Sequence, residues 1–275
     1  VEFIIANDKS TDETDIIVKK KINDYSGNFK IKYFEQEKNL GAMKNFQFAL
    51  EKTEGKYIAL CEGDDYWTDP YKIQKQVDFL DANPQVSLSF HNVYYVYDNI
   101  NSSKKFKKYY SREKYFPNEL FENWLIPTSS MLFRNVFIDK EIPTFFLEST
   151  HGDLMLQLYL GEFGSFSPFN EVMGAYRKHK GGISVNFNGL EYNNKSIKSM
   201  LLAREYFYPK YKKEIDSHIV MHYINNGLLY KNKSATKIFF WLFKIILYKP
   251  SIVIIKGKDV FKLVKVLFIT INNKF

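Results

Sequence analysis

The sequence predicts an α/β fold, a mostly parallel sheet with helices on both faces, followed by a helical C-terminal region. Short apolar runs alternate with segments of helical period from Val1 to about Tyr176, the pattern of right-handed crossovers onto a parallel sheet. One run, Tyr57 to Cys61, holds no charge and then breaks into Glu62, Gly63, Asp64 and Asp65. A central strand reads this way where it delivers acids to its carboxyl edge. Beyond about Leu190 the strand signals stop and apolar residues recur at helical spacing. The chain is accordingly divided into an α/β domain over 1–187 and a helical region over 188–275.

The elements follow in order. Val1 to Ala6 is a strand, and the polar loop Asn7-Asp8-Lys9-Ser10-Thr11-Asp12 ends in good helix caps. Ile16, Ile17 and Lys20 are spaced for a helix over 13–25, closed by Gly27, and Phe29 to Phe34 alternates as a second strand. After the turn Asn39-Leu40-Gly41, residues Met43, Phe46, Ala49 and Leu50 share one helical face, which ends at Gly55. Beyond Trp67, Thr68-Asp69-Pro70 starts a helix whose apolar face holds Ile73, Val77 and Leu80 and which stops before Pro84. Val86 to Tyr97 is a further strand, and residues 98–118 are a polar loop with Lys104, Lys105, Lys107 and Lys108 in a run. That run reads either as a solvated surface loop or as an acceptor-binding insertion. Pro127 to Phe133 gives another strand with hydroxyls at its start, His151-Gly152-Asp153 leads into a helix, and a strand over 171–176 precedes Arg177.

Composition narrows the class. With 275 residues, 45% hydrophobic and 17% aromatic, there is ample material for one large core and an appendage. The net charge of +8 is almost all lysine, since Arg112, Arg134, Arg177 and Arg204 are the only arginines. That balance argues against sequence-specific reading of nucleic acid, which favours bidentate arginine. It suits a phosphorylated ligand or an anionic membrane surface. Cys61 is the only cysteine, which excludes an intrachain disulfide and a cysteine-built metal site and fits a reducing compartment. No apolar run reaches the length of a membrane span, so the expected location is cytoplasmic, peripheral on the inner face of the membrane. The chain opens at Val1 inside an apolar run, and the expectation is that a first strand and helix of the domain precede it.

Three carboxylates around Gly63 repel one another, and a cation relieves that repulsion. Hard oxygen ligands suit Mg2+ or Mn2+, the usual partners of a ligand's phosphates. The competing reading is an acidic turn followed by a helix cap. Trp67 and Tyr66 are candidates for a stacking wall, with core packing the expectation for at least one of them.

Five motifs occur in order: Asn7-Asp8-Lys9-Ser10-Thr11-Asp12, Asn39-Leu40-Gly41, Glu62-Gly63-Asp64-Asp65, Gly152-Asp153-Leu154 and Tyr176-Arg177-Lys178-His179-Lys180-Gly181-Gly182. Together they resemble bacterial family 2 glycosyltransferases of the GT-A fold, over roughly residues 1–185. The resemblance implies inverting transfer of a sugar from a nucleoside diphosphate donor, usually UDP-linked, assisted by Mn2+ or Mg2+. It implies that Asp8 meets the nucleotide base and that Asn39, Gly41, Glu62, Asp65 and Arg177 serve the donor. Asp64 falls at the metal-ligand position and His179 at one that in some members reaches the metal or the pyrophosphate. Glu62 departs from the aspartate usual at its position. Asp153 matches the catalytic base, a role the chemistry requires because the acceptor hydroxyl must lose a proton as it attacks; a plain helix cap is the other reading of that residue. The partners implied are a nucleotide-sugar donor and a glycan or lipid-linked acceptor, with no nucleic acid.

Two alternatives remain at this level. A nucleotidyltransferase also uses a parallel sheet with metal-binding acids, but no glycine-rich phosphate loop is visible. A non-catalytic nucleotide-sugar binder or assembly subunit would be expected to lose Asp153, which this chain keeps. In the tail, Ile238 to Phe243 and Ile245 to Leu247 are apolar, and Lys258, Lys262 and Lys265 lie opposite Val260, Leu263, Val264 and Leu267. The arrangement suits a helix lying on an anionic membrane, or equally a small helical cap on the domain.

Overall fold

The computed structural model describes residues 1–97, 104–105, 110–119, 121, 126–138, 140–179, 181–182, 189–248 and 257–272. Lys107 and Lys108 of the predicted lysine run, the boundary after residue 187, Lys180 and Pro250 lie outside the described residues, as do the side chains of Lys104, Lys105 and Lys258. The chain divides into two units. One runs through Val1–Pro117, Leu125–Glu148 and Gly152–Arg177; the other takes Asn118–Trp124, Ser149–His151 and Lys178–Phe275.

In the first unit, β1 (Glu2–Asn7) and β2 (Lys30–Glu35) pair in parallel, in register from Glu2 opposite Lys30 to Asn7 opposite Glu35. The crossover between them is α1 (Thr14–Asn23), as the alternation predicts. That helix buries no residue, and Ile16 and Ile17 are exposed instead of packed. The following helix, α2 (Ala42–Glu51), is tied to β1 by Asn45, whose Nδ2 donates to the Ala6 carbonyl at 2.9 Å.

The second sheet has six strands. Its order is β3 (Tyr57–Ala59), β7 (Leu132–Arg134), β5 (Val86–Tyr97), β8 (Ser165–Lys178) and β4 (Tyr66–Trp67), with β6 (Lys104–Lys105) alongside β5. The fold is α/β as expected, but parallel pairing is confined among the described registers to β1–β2. The pairs β3–β7, β5–β7, β5–β6 and β4–β8 all run antiparallel. The run from Tyr57 is three residues of strand at one end of this order, not its centre. An uncharged run registers depth rather than direction, because burial on both faces suits either kind of neighbour.

Packing explains the rest of this unit. The first eight residues of β5 are all buried, and Leu88, Phe90 and Val93 join Phe133, Phe166 and Met173 in the core. The helix α3 (Lys72–Ala82) turns Lys72, Gln76 and Leu80 inward, a stripe at i, i+4, i+8. Ile73 and Val77, the predicted face, flank that stripe half-buried. Arg134 ties the end of α3 to the start of β5: its guanidinium donates to Leu80 O at 2.5 Å, Asn83 O at 3.2 Å and Val86 O at 2.9 Å. Carbonyls at a helix end have no partner inside the helix, and the guanidinium supplies one. Two shorter helices, α4 (Phe145–Glu148) and α5 (Gly152–Leu160), complete the unit.

The second unit is helical: α6 (Leu190–Phe207), α7 (Lys212–Leu228), α8 (Ala235–Tyr248) and α9 (Gly257–Asn272). Val220 and Ile224 of α7, Ile238, Leu242 and Ile245 of α8 and Leu263 of α9 form its core. Between α6 and α7 lies a buried polar chain. Asn193 Nδ2 donates to Asn226 Oδ1 at 2.7 Å, His222 Nδ1 meets Asn193 Oδ1 at 2.9 Å, and Asn226 Nδ2 donates to Asn194 Oδ1 at 3.1 Å. Buried Asp216 is held by Arg204 Nε at 2.9 Å and the Tyr248 hydroxyl at 2.7 Å. The α9 face is as predicted, with Val260 and Leu263 buried and Lys262 and Lys265 exposed. Among the described residues, no helix is long and apolar enough to cross a membrane.

Candidate functional site

The predicted residues of the first unit fall into two groups, one in the turns after β1 and β2 and one around the loop after β3. Asp8, just past β1, spends both carboxylate oxygens on the turn that follows β2. Leu40 N donates to Oδ1 at 2.6 Å and Gly41 N to Oδ2 at 2.9 Å. Asn39 returns the contact, its Nδ2 donating to Asp8 O at 3.1 Å. Gly41 sits at φ +87°, a backbone region that side chains with a Cβ resist, so the motif needs its glycine to aim that N–H. Asp8, Asn39 and Gly41 therefore form one hydrogen-bonded corner at the start of α2.

The acidic loop between β3 and β4 is anchored from β8. Arg177 N donates to Asp65 Oδ1 at 2.9 Å, and Arg177 Nε donates to Asp64 O at 2.5 Å. Asp65 Oδ2 and the Ser129 hydroxyl are both buried without an ordinary hydrogen bond, yet lie close enough for the hydroxyl to favour the carboxylate. Burial nevertheless raises the Asp65 carboxyl overall, helped by the charge of Asp64. Asp65 is thus a joint in the loop, holding Arg177 in place.

Glu62 is the most strongly shifted carboxylate of the loop. Crowding by protein, then the fields of Asp65, Asp153 and Asp64, push its carboxyl up to about 8. Since Glu62 is exposed to water, the like charges are the more durable of these causes. Asp153 acts on Glu62 from the first turn of α5. Its Oδ1 accepts from Leu154 N at 2.8 Å. Glu62 therefore lies within the fields of Asp64, Asp65 and Asp153. Neighbouring Cys61 is exposed, and crowding around its sulfur, then the charge of Asp65, push its thiol up.

Among the described residues, no group of three or more His, Cys, Asp or Glu side chains converges as a ready-made metal cage. His179 belongs to the second unit, where its carbonyl accepts from Gly182 N at 3.1 Å. Glu171 is committed elsewhere, paired with Lys75, which also reaches Asp69 at 2.9 Å.

Beneath the loop lies a feature the sequence reading missed. Lys72 is buried and its Nζ has no hydrogen-bond partner; it stands 4.3 Å from the ring centroid of Trp67. Burial lowers its pKa to about 7. His91, also buried, keeps Nε2 unbonded and is pushed down to about 3 by burial and by Lys72. Trp67 Nε1 donates to Ser129 O at 2.9 Å, so Trp67 is a structural link, whereas Tyr66 is exposed. The signal available in the sequence was the spacing of Lys72, Gln76 and Leu80.

The first unit thus carries an acidic loop after a strand of one sheet, a carboxylate on a nearby helix and a hydrogen-bonded turn after the strands of a second sheet. The chain belongs to glycosyl transferase family 2, whose model matches residues 1–142. An uncharacterised protein of Mycobacterium tuberculosis is 34% identical over 183 residues, covering 66% of this chain and 51% of that protein. A UDP-Glc:alpha-D-GlcNAc-diphosphoundecaprenol beta-1,3-glucosyltransferase of Escherichia coli is 37% identical over 95 residues, 34% of this chain and 35% of that enzyme. The chain thus spans about half the length or less of these curated relatives. Among solved structures, S. aureus TarS in complex with UDP-GlcNAc superposes with a TM-score of 0.58 at 14% identity, over 94% of this chain and 79% of that one. A mannosyltransferase of Pyrobaculum calidifontis in complex with GDP-Man and Mn2+ gives 0.51 at 11% identity, over 98% and 77%. At such identities the likeness is one of fold.

Proposed function

We propose that this chain transfers a sugar, with inversion, from a nucleoside diphosphate donor, UDP-linked, to a hydroxyl of a glycan or lipid-linked acceptor. What supports this reading is that Asp153, in the first turn of α5, is near enough for its charge to act on Glu62 in the acidic loop. An inverting transfer needs such a carboxylate to take the acceptor's proton while the diphosphate leaves. In this reading Asp153 is the base, Asp8, Asn39 and Gly41 shape the nucleotide end, and Arg177 faces the phosphates from its anchor on Asp64 and Asp65.

The donor set fits a hard divalent cation, Mn2+ or Mg2+, because like charges already strain Glu62 and a cation would relieve them. It fits a cation shared with a diphosphate rather than a protein cage, since among the described residues no three such side chains converge. Asp64 would hold it, with His179 as the further candidate, and the cation would neutralise charge growing on the leaving nucleotide. The related E. coli enzyme, by its name a UDP-glucose transferase acting on a diphosphoundecaprenol acceptor, supports a UDP-sugar and a lipid-linked acceptor.

The test is a panel of nucleotide sugars offered to the protein with Mn2+, with nucleotide release followed. Release confined to one or two UDP-sugars is expected. No release from any of them, with no binding by calorimetry, would overturn the reading.

A further inference from the structure

The helical unit exposes apolar surface that its own core does not use. On α8, Phe239, Phe240, Phe243, Ile246 and Leu247 share one side, and on α9, Phe261, Phe268 and Ile269 do; each is between 38% and 70% exposed. The opposite sides, with Ile238, Leu242, Ile245 and Leu263, are the ones that pack. At 100° per residue the five on α8 fall within about a third of the helix circumference. On α9 the exposed side interleaves Phe261, Lys262, Lys265, Phe268 and Ile269. Lysine among exposed aromatics is the composition of a helix lying at a membrane interface, where the stem sits among acyl chains and the ammonium reaches the headgroups.

Charge selects the partner. Residues 231–275 hold ten lysines against Asp259 alone, a formal charge of +9, while the whole chain carries +8. Residues 1–230 therefore net −1, and the positive charge of the protein resides in the segment that carries the exposed apolar faces. Lys244 lies 5.5 Å from the Phe240 ring, at the border of the α8 face. A second copy of the same surface would be repelled by that charge, whereas an anionic bilayer is attracted by it.

We propose that α8 and α9 dock the protein on an anionic lipid surface, apolar sides inserted at the headgroup level and lysines on the lipid phosphates. The docking is peripheral, and it stands apart from the transfer chemistry.

The experiment is co-sedimentation of the whole chain with phosphatidylcholine vesicles, with and without phosphatidylglycerol. Binding to the anionic vesicles alone, weakened by salt, is expected. The variant Lys244→Gln/Lys262→Gln/Lys265→Gln should lose about fivefold in partitioning for each lysine that reaches the surface. The variant Phe243→Ser/Phe261→Ser/Phe268→Ser should lose binding to anionic vesicles at least tenfold, about the worth of one or two buried rings. These side chains are exposed, so circular dichroism and Tm should match the parent. Analytical ultracentrifugation supplies the opposing outcome. If the parent is a dimer that the phenylalanine variant dissolves, and neither binds vesicles, a second copy covers the face and the proposal fails. It fails equally if neutral and anionic vesicles bind alike, or if the lysine variant binds as the parent does.

Discussion

The backbone N–H of Arg177, at the end of β8, donates to Asp65 Oδ1 at 2.9 Å across 112 residues of sequence. The acidic loop and the basic residue that faces it are therefore one unit of structure. Asp65→Ala should release Arg177 and destabilise by roughly 1–3 kcal/mol, the worth of a hydrogen bond to a charged group whose partner is left unmade. Asp65→Asn keeps the acceptor and removes a charge that burial disfavours, so its Tm should equal or exceed that of the parent. Thermal denaturation of both variants checks this; equal losses in the two would mean that charge, not the hydrogen bond, is what Asp65 supplies.

Loss of Asp64 and loss of Asp153 should fail differently. Asp64→Asn keeps the shape but removes a charge from the cation, so donor affinity in Mn2+ should fall along with turnover. Asp153→Asn should leave donor binding intact while transfer drops by roughly 10²–10⁴-fold, the worth of a positioned base. Calorimetric titration of the donor beside a transfer assay separates the two. An Asp153→Asn enzyme that also loses the donor would assign Asp153 to the nucleotide instead.

Glu62 gives a dependence on pH. Its carboxyl titrates near 8 in the folded chain against an ordinary 4.5, so between those values the folded state holds more protons than the unfolded one. Stability contributed by this group is full below about 4.5 and is lost as pH rises through about 8. Glu62→Gln should therefore melt higher than the parent at pH 8 and level with it near pH 4.5. Added Mn2+ should raise the parent's Tm at pH 8, since the cation relieves the same repulsion. A Tm difference between variant and parent that does not change with pH would remove Glu62 from the fields of its acidic neighbours.

Lys72 behaves in the opposite sense. Burial takes it from 10.5 to about 7, so the unfolded chain binds the extra proton between those values and stability rises with pH across that window. Lys72→Met fills the same volume without a charge to bury. Its Tm should exceed the parent's most at pH 6.5, by roughly 2–4 °C for each kcal/mol recovered, and the excess should shrink toward pH 10. The lost contact with Trp67 offsets part of the gain. A lower Tm at pH 6.5 would show that the ammonium is held by something stronger than the indole.

Where several of the elements lie is readable in the residues, although the strand read from Pro127 begins only at Leu132, after a 3-10 turn over Thr128–Ser130. Val86 to Tyr97 was expected as a strand and is one over exactly those residues; the face of Leu50 and the breaks at Gly41 and Gly55 bracket α2. The motif residues Asp8, Asn39 and Gly41 do meet. Strand direction was not readable, because an apolar strand such as Tyr57–Ala59 is equally content against a parallel or an antiparallel neighbour. Nor was the burial of Lys72, since a lysine on a helix ordinarily marks the wet side. The tie between Asp65 and Arg177 depends on how a strand more than a hundred residues away comes home, and no local spacing encodes that.

The amides buried between α6 and α7 have a consequence for how such chains drift. Sliding α7 by one turn, about 5.4 Å, would part His222 and Asn226 from Asn193, and each orphaned group would cost roughly 1–3 kcal/mol in a dry interface. The two helices thus have a single permitted alignment. A lone exchange at Asn193 or Asn226 is penalised, while a joint exchange of both for apolar residues of like volume is nearly neutral. Across a set of related chains, positions 193 and 226 should change in concert or not at all.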